Sequence, residues 1–297
     1  MIADQASKTA EYAASFRALE TARRPARARL FEDRFAARFL SPSRRCIIRL
    51  ASLPIAGALV RAYIDHRWPG AMTSGIARTR LIDDRVREAV ATGVRQVVIL
   101  GAGFDCRAYR LPELTNCRVI EVDHPATQAH KRERLAEIPH LPNRVQLIAG
   151  DLTRQSLHEV LRSEALDRKQ PTFVIWEGVT HYLGETAVDA TLRAVADLTP
   201  SGSRLVFTYL HVGVIDGTVE FEDAGVSKER VAGDGEPWVW GMNPEKMRTY
   251  LAERGFRLIE DAGADEYRAR YWGERGRRMR GFAFYRVAVA EVESTLR

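Results

Sequence analysis

Cysteine is scarce: Cys46, Cys106 and Cys117 are the only three in 297 residues. That is too few, and too scattered, for a disulfide framework or a zinc site, so no metal is expected. Long apolar runs are missing too, and no stretch approaches the 18 or so residues needed to cross a bilayer. The opening MIADQASKTAEYAASF has no apolar core behind a basic start, which argues against a secretory signal and for a cytoplasmic protein. Lysine is rare, since 40 of the 45 basic residues are arginine. Neither zinc-finger spacing nor an aromatic RNA-binding signature accompanies that charge, so neither nucleic acid nor membrane is an expected partner.

What is present is ordinary for a globular chain, with 45% hydrophobic and 28% charged residues. The net charge of +6 sits in residues 1–49, where eleven basic side chains face five acidic ones. From residue 97 onward, short apolar runs alternate with amphipathic stretches. The runs are Val97–Leu100, Val119–Val122, Val145–Ile148, Phe173–Trp176, Leu205–Tyr209, Phe256–Ile259 and Phe282–Val289. Fully apolar runs of this length suit strands buried on both faces. Helices are expected at Ala126–Ile138, Thr186–Leu198 and Pro244–Arg254, the last entered through Asn243 and Pro244 and left at Gly255. This alternation predicts an α/β fold with a doubly wound, mostly parallel sheet. The last two strands are expected to be joined by a long polar link, with an antiparallel strand at the C-terminal end.

Residues 1–75 show helical patterns at Ala10–Ala22, Leu30–Phe39 and Ile47–Tyr63 without strand signals. They read as an N-terminal helical cap on a ligand-binding domain spanning 76–297. Within the latter, residues 211–243 carry Gly213, Gly217, Gly225, Gly233 and Gly235 among acidic residues. A connection that long reads as a lid-like insertion.

The chemistry concentrates at strand ends. Val97–Leu100 runs into Gly101-Ala102-Gly103, where missing side chains let backbone approach a ligand. Asp123 closes the second strand 22 residues after Gly101, placed to accept from ribose hydroxyls. Cys106 stands where a dinucleotide fingerprint has its third glycine, which disfavours NAD. A cofactor with a ribose and no phosphate fits better, and S-adenosyl-L-methionine is the obvious one. Asp151 with Leu152 ends the third strand, placed for adenine, and Glu177 ends the fourth. Each acid taken alone also reads as a helix cap.

The blocks Ser74–Arg80, LGAGFDCRAYRL (100–111), EVDHP (121–125), GDL (150–152) and EGVTHYL (177–183) resemble the leucine carboxyl methyltransferase family. More narrowly, they resemble its bacterial branch of polyketide O-methyltransferases of the tetracenomycin type. The resemblance implies a class I, Rossmann-like methyltransferase fold and S-adenosyl-L-methionine as donor. It gives Arg78 the methionyl carboxylate, with Arg17 as a further N-terminal basic contact. Gly101 would line the methionyl and ribose side, Asp123 the ribose, and Asp151 with Leu152 the adenine. Glu177 would lie near the amino and sulfonium end. His181 stands where the branch commonly has Asn, and nothing resembles the family's protein-phosphatase-recognising elements, so a small-molecule acceptor is implied.

On the acceptor side the candidates are His181 and Tyr182, beyond Glu177, and Tyr209 and His211, beyond the fifth strand. A carboxyl acceptor is already ionised at neutral pH and needs no base, whereas a phenol would benefit from a histidine. The expected activity is therefore O-methylation of a small carboxylated metabolite. A phenolic acceptor and a non-catalytic cofactor-binding module remain the alternatives, and a homodimer is compatible with either. His124 reads as packing near the adenosine and Cys106 as a small packing group. Trp238 and Trp240 read either as a closure over an aromatic substrate or as a plug anchoring their loop.

Overall fold

The computed structural model describes residues 7–23, 25–141, 145–161, 166–221, 224–233 and 235–293. Four helices come first: α1 (Lys8–Arg23), α2 (Pro42–Ala51), α3 (Pro54–Arg67) and α4 (Ala71–Ala91). There follow β1 (Gln96–Leu100), α5 (Arg107–Arg110), β2 (Arg118–Asp123), α6 (Pro125–Ala136), β3 (Val145–Ala149), α7 (Leu157–Val160) and β4 (Thr172–Trp176). The remainder comprises α8 (Glu185–Leu198), β5 (Arg204–Leu210), α9 (Val212–Asp216), α10 (Ala224–Gly233), α11 (Pro244–Ala252), β6 (Phe256–Gly263), α12 (Ala264–Arg277) and β7 (Tyr285–Val292).

The strands form one sheet in the order β3-β2-β1-β4-β5-β7-β6. β1 to β5 pair in parallel, and β7 runs antiparallel to both β5 and β6. Every residue of the central β1 and β4 is buried, as uniformly apolar runs between two helical layers require. No residue of the edge strand β3 is fully buried: Val145, Leu147 and Ile148 are partly buried, and Gln146 and Ala149 are exposed. Two cores result, one per sheet face. Val97, Ile99, Ile175 and Val206 face α1 and α4, while Val98, Leu100, Val174 and Phe207 face α8 and α11. Reversal between β1 and β4 opens a crevice at the carboxyl edge of the sheet, where open α/β sheets take their ligands.

Four sequence expectations are corrected. Leu30–Phe39 is not a helix: only Ala36–Phe39 forms a short 3-10 turn, because the buried Asp33 carboxylate accepts from the Phe35 and Ala36 N–H groups and holds a turn instead. Ile47–Tyr63 is two helices, since Pro54 lacks the N–H to continue the first and opens the second at its first turn. The link between the last strands holds α12, kinked at Gly273 and packed on α4 through Tyr267 and Tyr271. The last strand starts at Tyr285 rather than Phe282. Helix α4 also runs unbroken through the boundary at 75/76, and α1, α4 and β1 share one core.

Candidate functional site

A cavity of about 390 Å³ opens at this crevice. Its floor is the β1 turn. Gly101 has φ +63° and Gly103 φ +49°, a region in which side chains are strained. A Cβ at Gly101 would lie 2.2 Å from Val179, and one at Gly103 would lie 3.0 Å from Ala10 on α1. Both glycines are thus required by conformation and by close approach. Ala102 donates its N–H to the Val122 carbonyl at 3.0 Å, tying the turn to β2.

Asp123 ends β2 at the cavity wall. Gly103 N–H donates to its Oδ2, and His124 N–H to its Oδ1 at 2.6 Å. Burial raises its pKa, against the pull of those two backbone donors. Glu177 ends β4 on the same wall, held by Arg78 Nε at 2.7 Å and Arg107 at 2.8 Å. Burial pushes its carboxyl up, but the two guanidinium charges outweigh it and leave the pKa below the usual range. Arg78 rises from α4 and stacks 4.5 Å over Tyr285. Arg17, on α1, also lines the cavity, with Nε on Asp33 at 2.9 Å and a second N–H on the Phe104 carbonyl.

These residues rest on a buried ionic network that the sequence reading missed. Arg107 pairs with Asp83 at 2.9 Å, with Asp105 and with Glu177, while Arg110 pairs with Asp83 at 2.7 Å. Burial pushes Asp105 up, but Arg107, Arg17 and Lys131 bring it down to about 2. The signal lay in DCRAYR, where arginines three apart share one helical face behind an acid. Their partner Asp83 is 24 and 27 residues away, and only the fold brings it in.

The other half of the cavity is aromatic. Tyr12 and Phe16 of α1, Trp68, His181, Tyr182, Trp238, Phe282 and Tyr285 line it. Trp238 comes from the expected lid, as do Ser227, Val231, Glu236, Pro237 and Val239; residues 222, 223 and 234 of that insertion lie outside the described residues. The His181 carbonyl accepts from Val239 N–H at 2.8 Å, stitching lid to floor. Glu236 accepts from Thr9 Oγ of α1 at 2.5 Å. His181 is buried against the rings of Tyr182, Tyr285 and Trp238, and its Nδ1 has no hydrogen-bond partner among the described residues. Burial, aided by the positive charge of Arg78, pushes its pKa down to about 3. Burial also raises the Tyr182 pKa.

Four residues sit elsewhere than the sequence suggested. Tyr209 donates to Asp261 at 2.6 Å and accepts from Arg286 at 3.0 Å, on the sheet face away from the cavity. Strand alternation explains this: the adjacent Thr208 takes the cavity-side position, accepting from Gly178 N–H at 2.7 Å. His211 caps α9, its Nδ1 accepting from Gly213 N–H at 3.0 Å. Asp151 is not in the cavity wall; its Oδ1 holds Thr153, and Thr153 is the residue of that loop that lines the cavity. Leu152 packs against the opposite core. Trp240 packs beside Tyr250 in that same core, which leaves Trp238 as the cavity tryptophan. His124 caps α6, its Nδ1 accepting from Ala126 N–H at 3.3 Å, and Cys106 is buried, its thiol pKa raised by desolvation. Among the described residues, no cluster of His, Cys, Asp and Glu could hold a metal ion.

Comparison with known proteins places the chain. The model of the leucine carboxyl methyltransferase family matches residues 10–196, well over half of the sequence. A Frankia alni protein that carries the name of an S-adenosyl-L-methionine-dependent methyltransferase is 35% identical over 208 residues, covering 70% of each chain. A similarly named Mycobacteroides abscessus protein is 34% identical, over 71% of this chain and 69% of its own. The alignment with a similarly named relative from Mycobacterium sp. strain KMS, at 32% identity, spans 61% of each chain. A Streptomyces avermitilis crystal structure of a DUF574 family protein matches with TM-score 0.61 at 16% identity over 98% of both chains. A Thermobifida fusca protein named as a methyltransferase matches with TM-score 0.61 at 17% identity, over 98% of this chain and 96% of its own; at such identities the likeness speaks for the fold. The chain belongs to the leucine carboxyl methyltransferase family.

Proposed function

We propose that the chain is an S-adenosyl-L-methionine-dependent O-methyltransferase acting on a small, largely apolar acceptor, with a carboxylate as the receiving group. The reading is carried by one observation: Arg78, Asp123 and Glu177 share the wall of one cavity with the open backbone of Gly101–Gly103. The cofactor fits the residues present. The cavity volume falls in the range of small-molecule sites, roughly 300–1,000 Å³. Asp123 would hold the ribose hydroxyls, Arg78 the carboxylate and Glu177 the amino group. The glycine turn presents backbone on the cavity wall, with Val179 and Ala10 packed too closely on it for a Cβ. Bound there, S-adenosyl-L-methionine supplies an electrophilic methyl on a sulfonium.

The protein contributes orientation and exclusion of water. Trp238, Phe282 and Tyr285 offer the acceptor an apolar wall, and the lid and α1, joined through Glu236 and Thr9, roof it. Two features support an acceptor that arrives ionised. His211 lies outside the cavity wall, and His181 has too little proton affinity to deprotonate a phenol. His181 instead offers a neutral ring, its unpartnered Nδ1 free for a hydrogen bond. A hydroxyl acceptor is favoured by a different observation, the Glu236 carboxylate in the aromatic half of the cavity.

Two experiments test this. Isothermal titration should show S-adenosyl-L-methionine binding and no NAD binding, with Asp123→Ala weakening the former by about 1–3 kcal/mol. Tight NAD binding, or unchanged affinity in that variant, would overturn the cofactor assignment. With an acceptor in hand, a pH–rate profile flat above about pH 6 supports a carboxylate. A rise through neutral pH that Glu236→Gln abolishes would instead establish a hydroxyl.

A further inference from the structure

The α2–α3 hairpin shows its apolar residues to solvent. Six of the nine large hydrophobic side chains exposed among the described residues lie here: Ile47, Leu50, Leu53, Ile55, Leu59 and Tyr63. Helix α3 carries two apolar stripes. Gly57, Val60 and Ile64 turn inward, as a surface helix requires. Ile55, Leu59 and Tyr63, spaced four apart on another side, are 79%, 66% and 66% exposed. At about 100° per residue, Arg67 falls on the border of the outward stripe beyond Tyr63, while Arg61 lies on the far side of the helix from it.

Charge indicates what covers this face. Residues 42–67 hold five arginines and a single acidic residue, Asp65. Arg44 pairs with Glu11 at 3.3 Å, while Arg45, Arg49, Arg61 and Arg67 have no ion pair among the described residues. A second copy related by a two-fold axis would set this arginine cluster against itself. An outward stripe of Ile, Leu and Tyr bordered by arginine is the pattern of a helix lying in a lipid interface beside anionic headgroups. The stripe leads towards the cavity, because Trp68, which ends α3, packs against Tyr12 with ring centroids 5.4 Å apart and lines the cavity with it. No helix among the described residues is long and apolar enough to cross a membrane, so contact would be peripheral.

We propose that the α2–α3 face docks on an anionic lipid surface, with Ile55, Leu59 and Tyr63 entering the headgroup boundary and Arg45, Arg49 and Arg67 meeting lipid phosphates. The proposal stands apart from methyl transfer, and its failure would leave that reading untouched. The test is co-sedimentation of the full chain with phosphatidylcholine vesicles, with and without phosphatidylglycerol, at low and high salt. Binding is expected to the mixed vesicles and to weaken with salt. Arg49→Gln with Arg67→Gln should weaken it roughly thirty-fold, and Ile55→Ser with Leu59→Ser should abolish it. Thermal melting should be unchanged in both variants, since the substituted side chains are exposed. Absence of binding, equal binding to uncharged vesicles, or binding indifferent to both variants would overturn the proposal. So would a dimer, seen by sedimentation velocity without lipid, that Ile55→Ser with Leu59→Ser dissociates.

Discussion

Arg78 stands between Glu177 and Tyr285, its Nε 2.7 Å from the carboxylate and its guanidinium carbon 4.5 Å above the ring. Burial works against its charge, but Tyr285 and Glu177 more than restore it, and its pKa is raised. Arg78 lines the cavity, and in the proposed binding mode its N–H groups beyond Nε meet the ligand carboxylate. An ammonium cannot grip Glu177, cover Tyr285 and meet a ligand together. Arg78→Lys should weaken S-adenosyl-L-methionine binding about tenfold or more by isothermal titration. Equal affinity in the lysine variant would remove Arg78 from the cofactor site.

Arg107 has the opposite character, since it meets three carboxylates and its pKa is held well above the ordinary value. Removing it leaves Asp83, Asp105 and Glu177 crowded with less compensation. Arg107→Met should cost about 3–5 kcal/mol of stability in urea denaturation. The exposed Arg154, paired loosely with Asp151 at 3.7 Å, should cost less than about 0.5 kcal/mol when changed likewise. Equal losses in the two variants would deny the network its structural weight.

His181 predicts a pH dependence. Its folded pKa, about 3, lies below the unfolded value of about 6.5. As pH falls below 6.5 the unfolded chain takes up a proton that the folded protein refuses, so stability declines between pH 6.5 and 3. By pH 5 the contribution is about 2 kcal/mol. His181→Asn should flatten that part of the curve, whatever it does to stability at pH 7.5. Parallel urea midpoints for the two proteins at pH 7.5 and 5 would contradict a buried neutral histidine.

Tyr209 separates structure from catalysis. Its hydroxyl bridges Asp261 and Arg286 on the far face of the sheet. Tyr209→Phe should lower stability by about 1 kcal/mol and leave cofactor affinity and turnover unchanged. A selective loss of turnover would return Tyr209 to the acceptor site.

Much of this was legible because it is local. An apolar run of five residues between polar segments has few options besides a buried strand, and Gly-x-Gly at its end signals backbone that a Cβ would obstruct. Asp123 could be found because strand, turn and strand fix its distance from Gly101. Other features were carried by the sequence and outweighed: Pro54 marks the break between α2 and α3, yet the apolar periodicity runs straight through it.

The order of residues alone determined seven strands, their alternation with helices, and the glycine turn facing an acid, since each follows from side-chain period and backbone freedom within about 25 residues. Packing decided the rest. Whether Thr208 or Tyr209 lay on the cavity side of the sheet depended on strand register against β4 and β7, and a one-residue offset in a strand reverses its face. Asp83, Arg107 and Glu177 met because helix α4, which carries Asp83, packs in one core with β1, and buried charges must find partners wherever the fold offers them. The aromatic half of the cavity joins α1, the end of α3, the lid and the entry to β7, segments with no common sequence signal, brought together because the crevice at the strand reversal needed apolar walls.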